Sequence, residues 1–527
     1  MKDVVGSLSV DRCLALPQPA ETRAALKYAS RWLKWSEPYD IILEKLAEEN
    51  SRSTRCALQG EDIRMLLDVR KLRQASETPI AFCNAFTVHE EKEDGDRRRP
   101  IIEPTINDII AKYADEFPQL CATTTYTSKA DIRRAVFDTT CAAQFDFAAW
   151  FDQIPLDALV SRLFGIRSRL EIFELLCVAM GFRPACQIAQ AATNSIAAVR
   201  GPIFTASCVD NVAFMGSRSA VEEAAREFIV RSSIVGAQIK DTTINIATEY
   251  DFLGEHYDHA KKTRRLTDKT AAKAAYAATV LQQTPSLRTK QIQAIFGLLL
   301  YAANTLRITI ARFHWAMRFL SLVCAQSQDA EHMLRSDVRA ELLAWALLAS
   351  ENKPVAVHTP DVEPEFVIYT DASASGWGAI SISRGGNVIE FSQPWSAEEM
   401  EHYNVHSSVV AEPLAIRKAV AALVPTSARS VRIFTDHLPF VFAHKNTFGR
   451  AWSYSAAVQF LSTYNTIFEV LFVPGEQNPA DVLSRARHLE VPAPPPLLMV
   501  TSVAGRPLRG RREWGYGCDG SSRAFGT

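Results

Sequence analysis

Two groups of acidic residues stand where an apolar, strand-like run stops or a helix-like run opens. In Gln144-Phe145-Asp146-Phe147-Ala148-Ala149-Trp150-Phe151-Asp152-Gln153-Ile154-Pro155-Leu156, Asp146 ends such a run and the chain turns helical soon afterwards. In Cys208-Val209-Asp210-Asn211-Val212, Asp210 sits at the turn between two β-rich runs. Farther on, Asp371 ends a run in Tyr369-Thr370-Asp371-Ala372-Ser373 and Glu412 opens a helical pattern. Asp436 ends Phe434-Thr435-Asp436, and Asp481 lies in Asn478-Pro479-Ala480-Asp481. Carboxylates from separate elements can converge on divalent metal held by oxygen. That arrangement activates a hydroxyl and stabilises a leaving pyrophosphate, or cuts a phosphodiester. Singly, each acid is weak evidence, because a strand-end Asp more often forms a turn or caps a helix.

The elements that must position these acids follow from pattern. The chain has 527 residues, several times the ~150-residue domain prior, so two to four domains are expected. Residues 1–60 read as a helical extension, with Pro38 marking a break. Residues 61–260 alternate short apolar runs with helical patterns, as in an α+β domain, and residues 261–350, rich in Ala, Leu and Gln, predict packed helices. A Pro-rich linker spans 351–364. Residues 365–488 then predict a second α/β domain. Its strands are Phe366–Thr370, Gly378–Ser383, Val388–Phe391, Val431–Thr435 and Phe468–Val473, with helices at Val409–Leu423 and Trp452–Tyr464; Gly385-Gly386 is the hairpin turn. Residues 489–527, Pro-rich and then Gly/Arg-rich, predict a disordered basic tail.

Composition bounds the rest. With 47% hydrophobic and 22% charged residues the chain is neither fibrous nor mostly disordered. A net charge of -1 means that any polyanion must be held by local basic clusters. The ten cysteines form no C-x-x-C pair, and no apolar run is long enough for a membrane span. A soluble protein of a reducing intracellular compartment, cytoplasmic or nuclear, is expected.

The order of these motifs resembles the reverse transcriptases of retroelements. Phe145-Asp146 through Ile154-Pro155-Leu156 looks like their motif A, and Cys208-Val209-Asp210-Asn211 like the aromatic-x-Asp-Asp turn of motif C. Gly236 to Lys240 and Phe252-Leu253-Gly254 are similar to motifs D and E, and Lys92 to Glu103 to the basic fingers hairpin. Downstream, Thr370-Asp371-Ala372-Ser373 with Gly376-Trp377-Gly378, and Val473-Pro474-Gly475-Glu476-Gln477-Asn478-Pro479-Ala480-Asp481-Val482-Leu483-Ser484-Arg485, strongly resemble retroelement ribonuclease H. The resemblance implies an α+β multidomain chain: a right-hand polymerase of fingers, palm and helical thumb, followed by a ribonuclease H-like α/β domain. The phrases Arg99-Pro100-Ile101-Ile102-Glu103-Pro104 and Phe252-Leu253-Gly254-Glu255-His256-Tyr257-Asp258 look most like the tyrosine-recombinase retrotransposons of the DIRS, Ngaro and VIPER group.

The same resemblance implies roles. Asp146, Asp210 and the backbone carbonyl of Phe147 would bind two Mg2+, or alternatively Mn2+; Asp371, Glu412, Asp436 and Asp481 would bind a second pair. Phe151 would stand against the sugar 2′ position and select deoxynucleotides. Lys92 and Arg99 would neutralise the incoming triphosphate, with Arg97 and Arg98 as alternatives to Arg99. Gln187 falls in the template-contacting motif B slot, Lys240 would protonate the departing pyrophosphate, and Phe252, Leu253 and Gly254 would grip the primer end. Implied partners are an RNA template, a DNA primer, their RNA:DNA hybrid and dNTPs, with separately encoded recombinase or capsid-like proteins and no membrane.

Three departures bear on activity. Cys208 replaces the usual aromatic residue, Asn211 replaces the second acid of the turn, and no imidazole lies between Val473 and Asp481. Pro413 directly after Glu412 places that acid near a helix start, since proline is tolerated in the first turn. Three readings stay open: an active polymerase with ribonuclease H, a polymerase-impaired copy retaining only the nuclease, and a nucleic-acid-binding protein without chemistry.

Overall fold

The computed structural model describes residues 4–49, 54–90, 97–168, 171–358 and 362–485. Lys92 and the segment 489–527 lie outside these described residues, as do 359–361 of the linker and 486–488 of the last α/β domain. The chain divides into two compact units: residues 4–253 with 257–263, and residues 254–256 with 264–485.

The centre of the first unit is an antiparallel sheet in the order Phe204–Cys208, Asn211–Gly216, Cys141–Asp146, Ile246–Ala247. The helix Arg218–Val235 packs on it through Phe228, whose ring lies 5.1 Å from Phe145, 5.7 Å from Phe147 and 5.4 Å from Phe214. The strands Phe204–Cys208 and Asn211–Gly216 are joined by a two-residue turn at Val209-Asp210, as the sequence predicts for Asp210. A two-stranded ribbon, Cys83–Glu90 with Arg97–Pro104, and a three-stranded sheet of Leu72–Gln74, Glu171–Leu175 and Gly165–Ser168 complete the β structure before it.

The first fifty residues are mostly helical where described, but they are no appendage. Trp32 and Tyr39 are fully buried in the same core as the sheet. The backbone of residues 6–9 bonds to Asp152, Gln153 and Val235 (2.9, 2.9 and 2.8 Å). Gly236, at φ +79° after the long helix, approaches so closely that a Cβ there would lie 2.2 Å from the Ser7 carbonyl oxygen; only glycine fits.

In the second unit, helices Asp268–Gln283, Thr289–Leu306, His314–Val323 and Ser336–Glu351 surround the buried Trp345, on which Phe313 stacks at 4.7 Å. A small strand pair, Ser286–Arg288 with Glu331–Met333, interrupts what the sequence predicts as helices alone. The α/β part follows: a five-stranded sheet ordered Val388–Pro394, Gly376–Ser383, Phe366–Ala372, Ser430–Thr435, Ile467–Phe472. The first two pairings are antiparallel and the last two parallel. The helices Ser408–Leu423 and Trp452–Leu461 share its core. Among the described residues no helix is long and apolar enough to cross a membrane.

Candidate active sites

Asp146 is the last residue of its strand and lies directly opposite Asn211 in the antiparallel register. Asp210 occupies the adjoining turn, and the N–H of Phe147 donates to its carbonyl at 2.9 Å. Strand pairing thus brings the two acids together. Burial, and next the negative charge of Asp146, hold the Asp210 carboxyl above the usual carboxylate range. Val209, the first turn residue, has φ +53°, an unfavourable conformation for a β-branched side chain. The helix Ala185–Ile196 holds it there: Gln190 Oε1 accepts from the Val209 N–H at 2.7 Å, and the Thr193 hydroxyl donates to the Val209 carbonyl. Gln190 and Thr193 are positioning residues that the motifs do not single out, although they lie three and six residues beyond Gln187.

The carboxylate oxygens differ in their surroundings. Asp146 Oδ2 takes the ammonium of Lys240, whose backbone N–H also donates to the Asp146 carbonyl at 2.8 Å. Asp146 Oδ1 is buried with no hydrogen-bond partner among the described residues. An orphaned buried carboxylate oxygen beside a second carboxylate fits a hard divalent cation held by oxygen. Asn211 adds no charge; its amide donates to Asp210 Oδ1 at 3.0 Å.

The other residues assigned to this region divide. Phe147 is buried and stacks on Trp150 at 4.0 Å, which fixes the backbone beside Asp146. Phe151 follows in the short helix Trp150–Gln153, half-buried against the core. Arg99 pairs with Val88 on the ribbon and Arg98 with His89, so the two arginines point to opposite faces. Arg98 is engaged by the buried Asp62, at 2.9 Å, and by Glu61 and Gln59. Gln187 is not presented to a template: it is buried, its Oε1 accepts from Trp32 Nε1 at 3.2 Å and its Nε2 donates to the Thr123 carbonyl at 2.9 Å. Phe252 is buried too, while Leu253 (φ +47°) and Gly254 (φ +81°) form the tight turn after it.

In the second unit Asp371, Glu412 and Asp436 bring one carboxylate oxygen each to within 4.8 Å of one another. Asp371 is the penultimate residue of its strand, Asp436 follows the end of the parallel neighbour, and Glu412 reaches in from the helix Ser408–Leu423. Asp481 stands beside this trio at the start of the short helix Asp481–Ser484, its Oδ1 paired with Arg485 at 2.6 Å. Burial, followed by the charges of Asp371 and Asp436, pushes the Glu412 carboxyl up to about 9. Burial raises Asp371 to about 6, partly offset by the Ser484 hydroxyl that donates to it. Glu412 Oε2 is buried and unpartnered among the described residues. Three acids packed this closely, one with an orphaned oxygen, again fit divalent cations.

Pro413 corrects the expectation that Glu412 lies in the first helical turn. The helix begins at Ser408, which places Pro413 in the second turn, inside the helix. Proline cannot donate to the carbonyl four residues back, that of Val409. The Ser453 hydroxyl donates to it instead, at 2.6 Å, so the backbone that carries Glu412 stays satisfied.

The most motif-like residues of this unit dock the Asp481 helix. The Asn478 amide donates to the Thr370 carbonyl at 2.9 Å, locking the loop to the Asp371 strand. Gly378 leaves no room for a side chain: a Cβ would stand 2.6 Å from both Leu483 Cβ and Ser484 N, and 2.8 Å from the Ala480 carbonyl oxygen. Gly378→Ala is therefore expected to displace that helix and to destabilise the protein by about 1–3 kcal/mol, read by thermal unfolding; an unchanged melting temperature would show the contact to be slack.

No protein-family model matches the chain. Over 142 residues it is 32% identical to the retrovirus-related Pol polyprotein from transposon gypsy of Drosophila melanogaster; the matched stretch is 26% of this chain and 13% of that polyprotein. Among solved structures it is similar, at 14% identity over 80% of its length, to the foamy viral protease-reverse transcriptase. The complex with double-stranded DNA gives a TM-score of 0.45 over 86% of that chain, and the complex with RNA/DNA hybrid 0.44 over 55%. Over about a quarter of its length, then, the chain is homologous to a retroelement Pol polyprotein.

Proposed function

We propose that this chain is an RNA-directed DNA polymerase of a retrotransposon, with a tethered ribonuclease H that removes the RNA strand of the hybrid it makes. The observation that carries the reading is that each unit gathers acids from separate elements around a buried carboxylate oxygen without a partner among the described residues, Asp146 Oδ1 in one and Glu412 Oε2 in the other. Two Mg2+ at each site would supply Lewis acidity toward phosphoryl oxygens and a lowered pKa for the attacking hydroxyl or water. Asp146 and Asp210 would hold them in the first unit; Asp371, Glu412, Asp436 and Asp481 in the second. Arg99 would neutralise the incoming triphosphate, and Lys240, whose Nζ lies against Asp146, would give a proton to the departing pyrophosphate. Tethering supplies the nuclease at high effective concentration wherever hybrid appears. The Arg99–Pro104 and Phe252–Asp258 phrases favour the DIRS, Ngaro and VIPER group within the retroelements.

Primer extension on an RNA template and cleavage of a labelled RNA:DNA hybrid, each with Mg2+ and with Mn2+, test the reading. Metal-dependent product in both assays is expected, and absence of both would sink it. A second reading, a nuclease-only copy, is favoured by Asn211 and by the ammonium of Lys240 on Asp146, which leave the first cluster short of negative charge. Hybrid cleavage without extension in either metal selects it. The sugar gate has its own test. Phe151→Val should raise ribonucleotide incorporation by about tenfold or more, the scale on which a few methylenes discriminate in a pocket; continued exclusion would assign Phe151 to the core alone.

A further inference from the structure

The second unit carries an aromatic surface that neither metal cluster uses. Trp315, on the helix His314–Val323, and Trp452, which opens the helix Trp452–Leu461, lie nearly parallel, with centroids 6.0 Å apart at 12°. They are 44% and 51% exposed, unusual for two adjacent indoles on a soluble face. They are also held rigidly. The buried His314 ring meets both edge-on, at 5.1 and 5.2 Å, and its Nδ1 is hydrogen-bonded to the Ser455 hydroxyl at 2.9 Å. The Ala311 N–H ties the preceding turn to the Thr447 carbonyl at 2.7 Å.

The two segments that bear the pair carry charge of one sign. Residues 307–328 and 437–468, which bear the two indoles, contain Arg307, Arg312, Arg318, Lys445 and Arg450 and no Asp or Glu. Arg312, Arg318, Lys445 and Arg450 are exposed, and among the described residues no carboxylate lies within ion-pair distance of any of them. One acid from a packed element, Glu341 of the helix Ser336–Glu351, accepts from the Ala316 N–H at 2.8 Å at the start of the Trp315 helix. Flat, pre-positioned π faces beside unpaired cations are what an unpaired nucleic-acid strand binds: bases stack and phosphates meet arginine, whereas a duplex hides its base faces.

We propose that Trp315 and Trp452 form a stacking platform for single-stranded nucleic acid, with Arg312, Arg318 and Arg450 holding its backbone. The site rests on the polymerase and nuclease reading for its biological use, as a holder of unpaired template. Its chemistry stands apart from both metal clusters.

Anisotropy with the full chain tests it, using a fluorescent dT 12-mer and an abasic 12-mer of equal charge. Trp315→Ala and Trp452→Ala should each weaken dT binding about fivefold or more and leave abasic binding unchanged. Trp452→Phe should stay within about threefold of the parent. Wild-type tryptophan fluorescence should be quenched by dT and not by the abasic strand, a reading that does not depend on any variant folding. Equal quenching by both strands, or alanine variants that bind dT as the parent does, overturn the proposal. So does a shift in oligomeric state by light scattering with dT affinity intact, which would make this face an interface between copies. Blunt-hybrid cleavage, run alongside, should be unaffected by the variants. Its absence in the wild type would count against the enzymatic reading without touching the binding result.

Discussion

Replacing Glu412 by glutamine is expected to lower hybrid cleavage at least a hundredfold while making the metal-free protein more heat-stable. The loss follows because glutamine offers a metal a neutral oxygen in place of a charged one, and even outer partners of metal ligands cost about 10–100-fold when removed. The stabilisation follows from the same crowding. In the folded, metal-free chain Glu412 is held up to about 9 and Asp371 up to about 6, whereas in the unfolded chain both titrate near ~4. Between about pH 4 and pH 9 the folded state therefore binds more protons than the unfolded one, and stability falls as pH rises, by at most about 1.4 kcal/mol per unit for each group in transition. The Gln variant removes the larger slope and brings an amide that can donate to Asp371 or Asp436. Melting in EDTA should show the parent weaker at pH 8.5 than at pH 6, and the variant flatter and higher. Metal reverses the trend: binding must expel the Glu412 proton, so cleavage at limiting Mg2+ should rise with pH across the same window. A parent whose EDTA melting temperature climbs from pH 6 to 8.5 would contradict the cluster's electrostatics.

The contrast between what was legible in the sequence and what was not has a physical basis. The Asp371 and Asp481 phrases were readable because their glycines and Asn478 answer to short-range demands that admit few residues: a backbone 2.6 Å from the Gly378 Cβ position, an amide bridging to Thr370. Apolar runs placed the five strands to within a few residues, even the edge strand Val388–Pro394, which has no buried residue. Partner choice left no such trace. Helical periodicity in residues 1–60 marks a buried face without saying that it joins the core of the Asp146 sheet, so an integral part read as an extension. Gln187 illustrates the same limit. A polar residue in a motif slot looks available, and only tertiary contact with Trp32 and Thr123 commits its amide inward. Pro413 misled by a sound rule, because the rule assumes that a freed carbonyl finds no other donor; Ser453, forty residues away, is one.

Asp210→Asn should reduce nucleotide incorporation at least a hundredfold and leave hybrid cleavage unchanged, since the two clusters are built from different elements. Its neighbour should work in the opposite direction. With Asn211 in place, the first site holds two carboxylates and the ammonium of Lys240, a net charge of about -1 from which to attract a doubly charged ion. Asn211→Asp restores a third acid in the register position facing Asp146, and cation affinity in oxygen sites is tuned by ligand charge. The Mg2+ concentration for half-maximal incorporation is then expected to fall about tenfold. In EDTA the added charge should push the Asp210 carboxyl higher still, so the variant's melting temperature should drop below the parent's and recover with Mg2+. Incorporation that survives Asp210→Asn would remove that residue from the chemistry. A Mg2+ requirement indifferent to Asn211→Asp would mean that position 211 does not face the ions, and that the missing acid is no handicap.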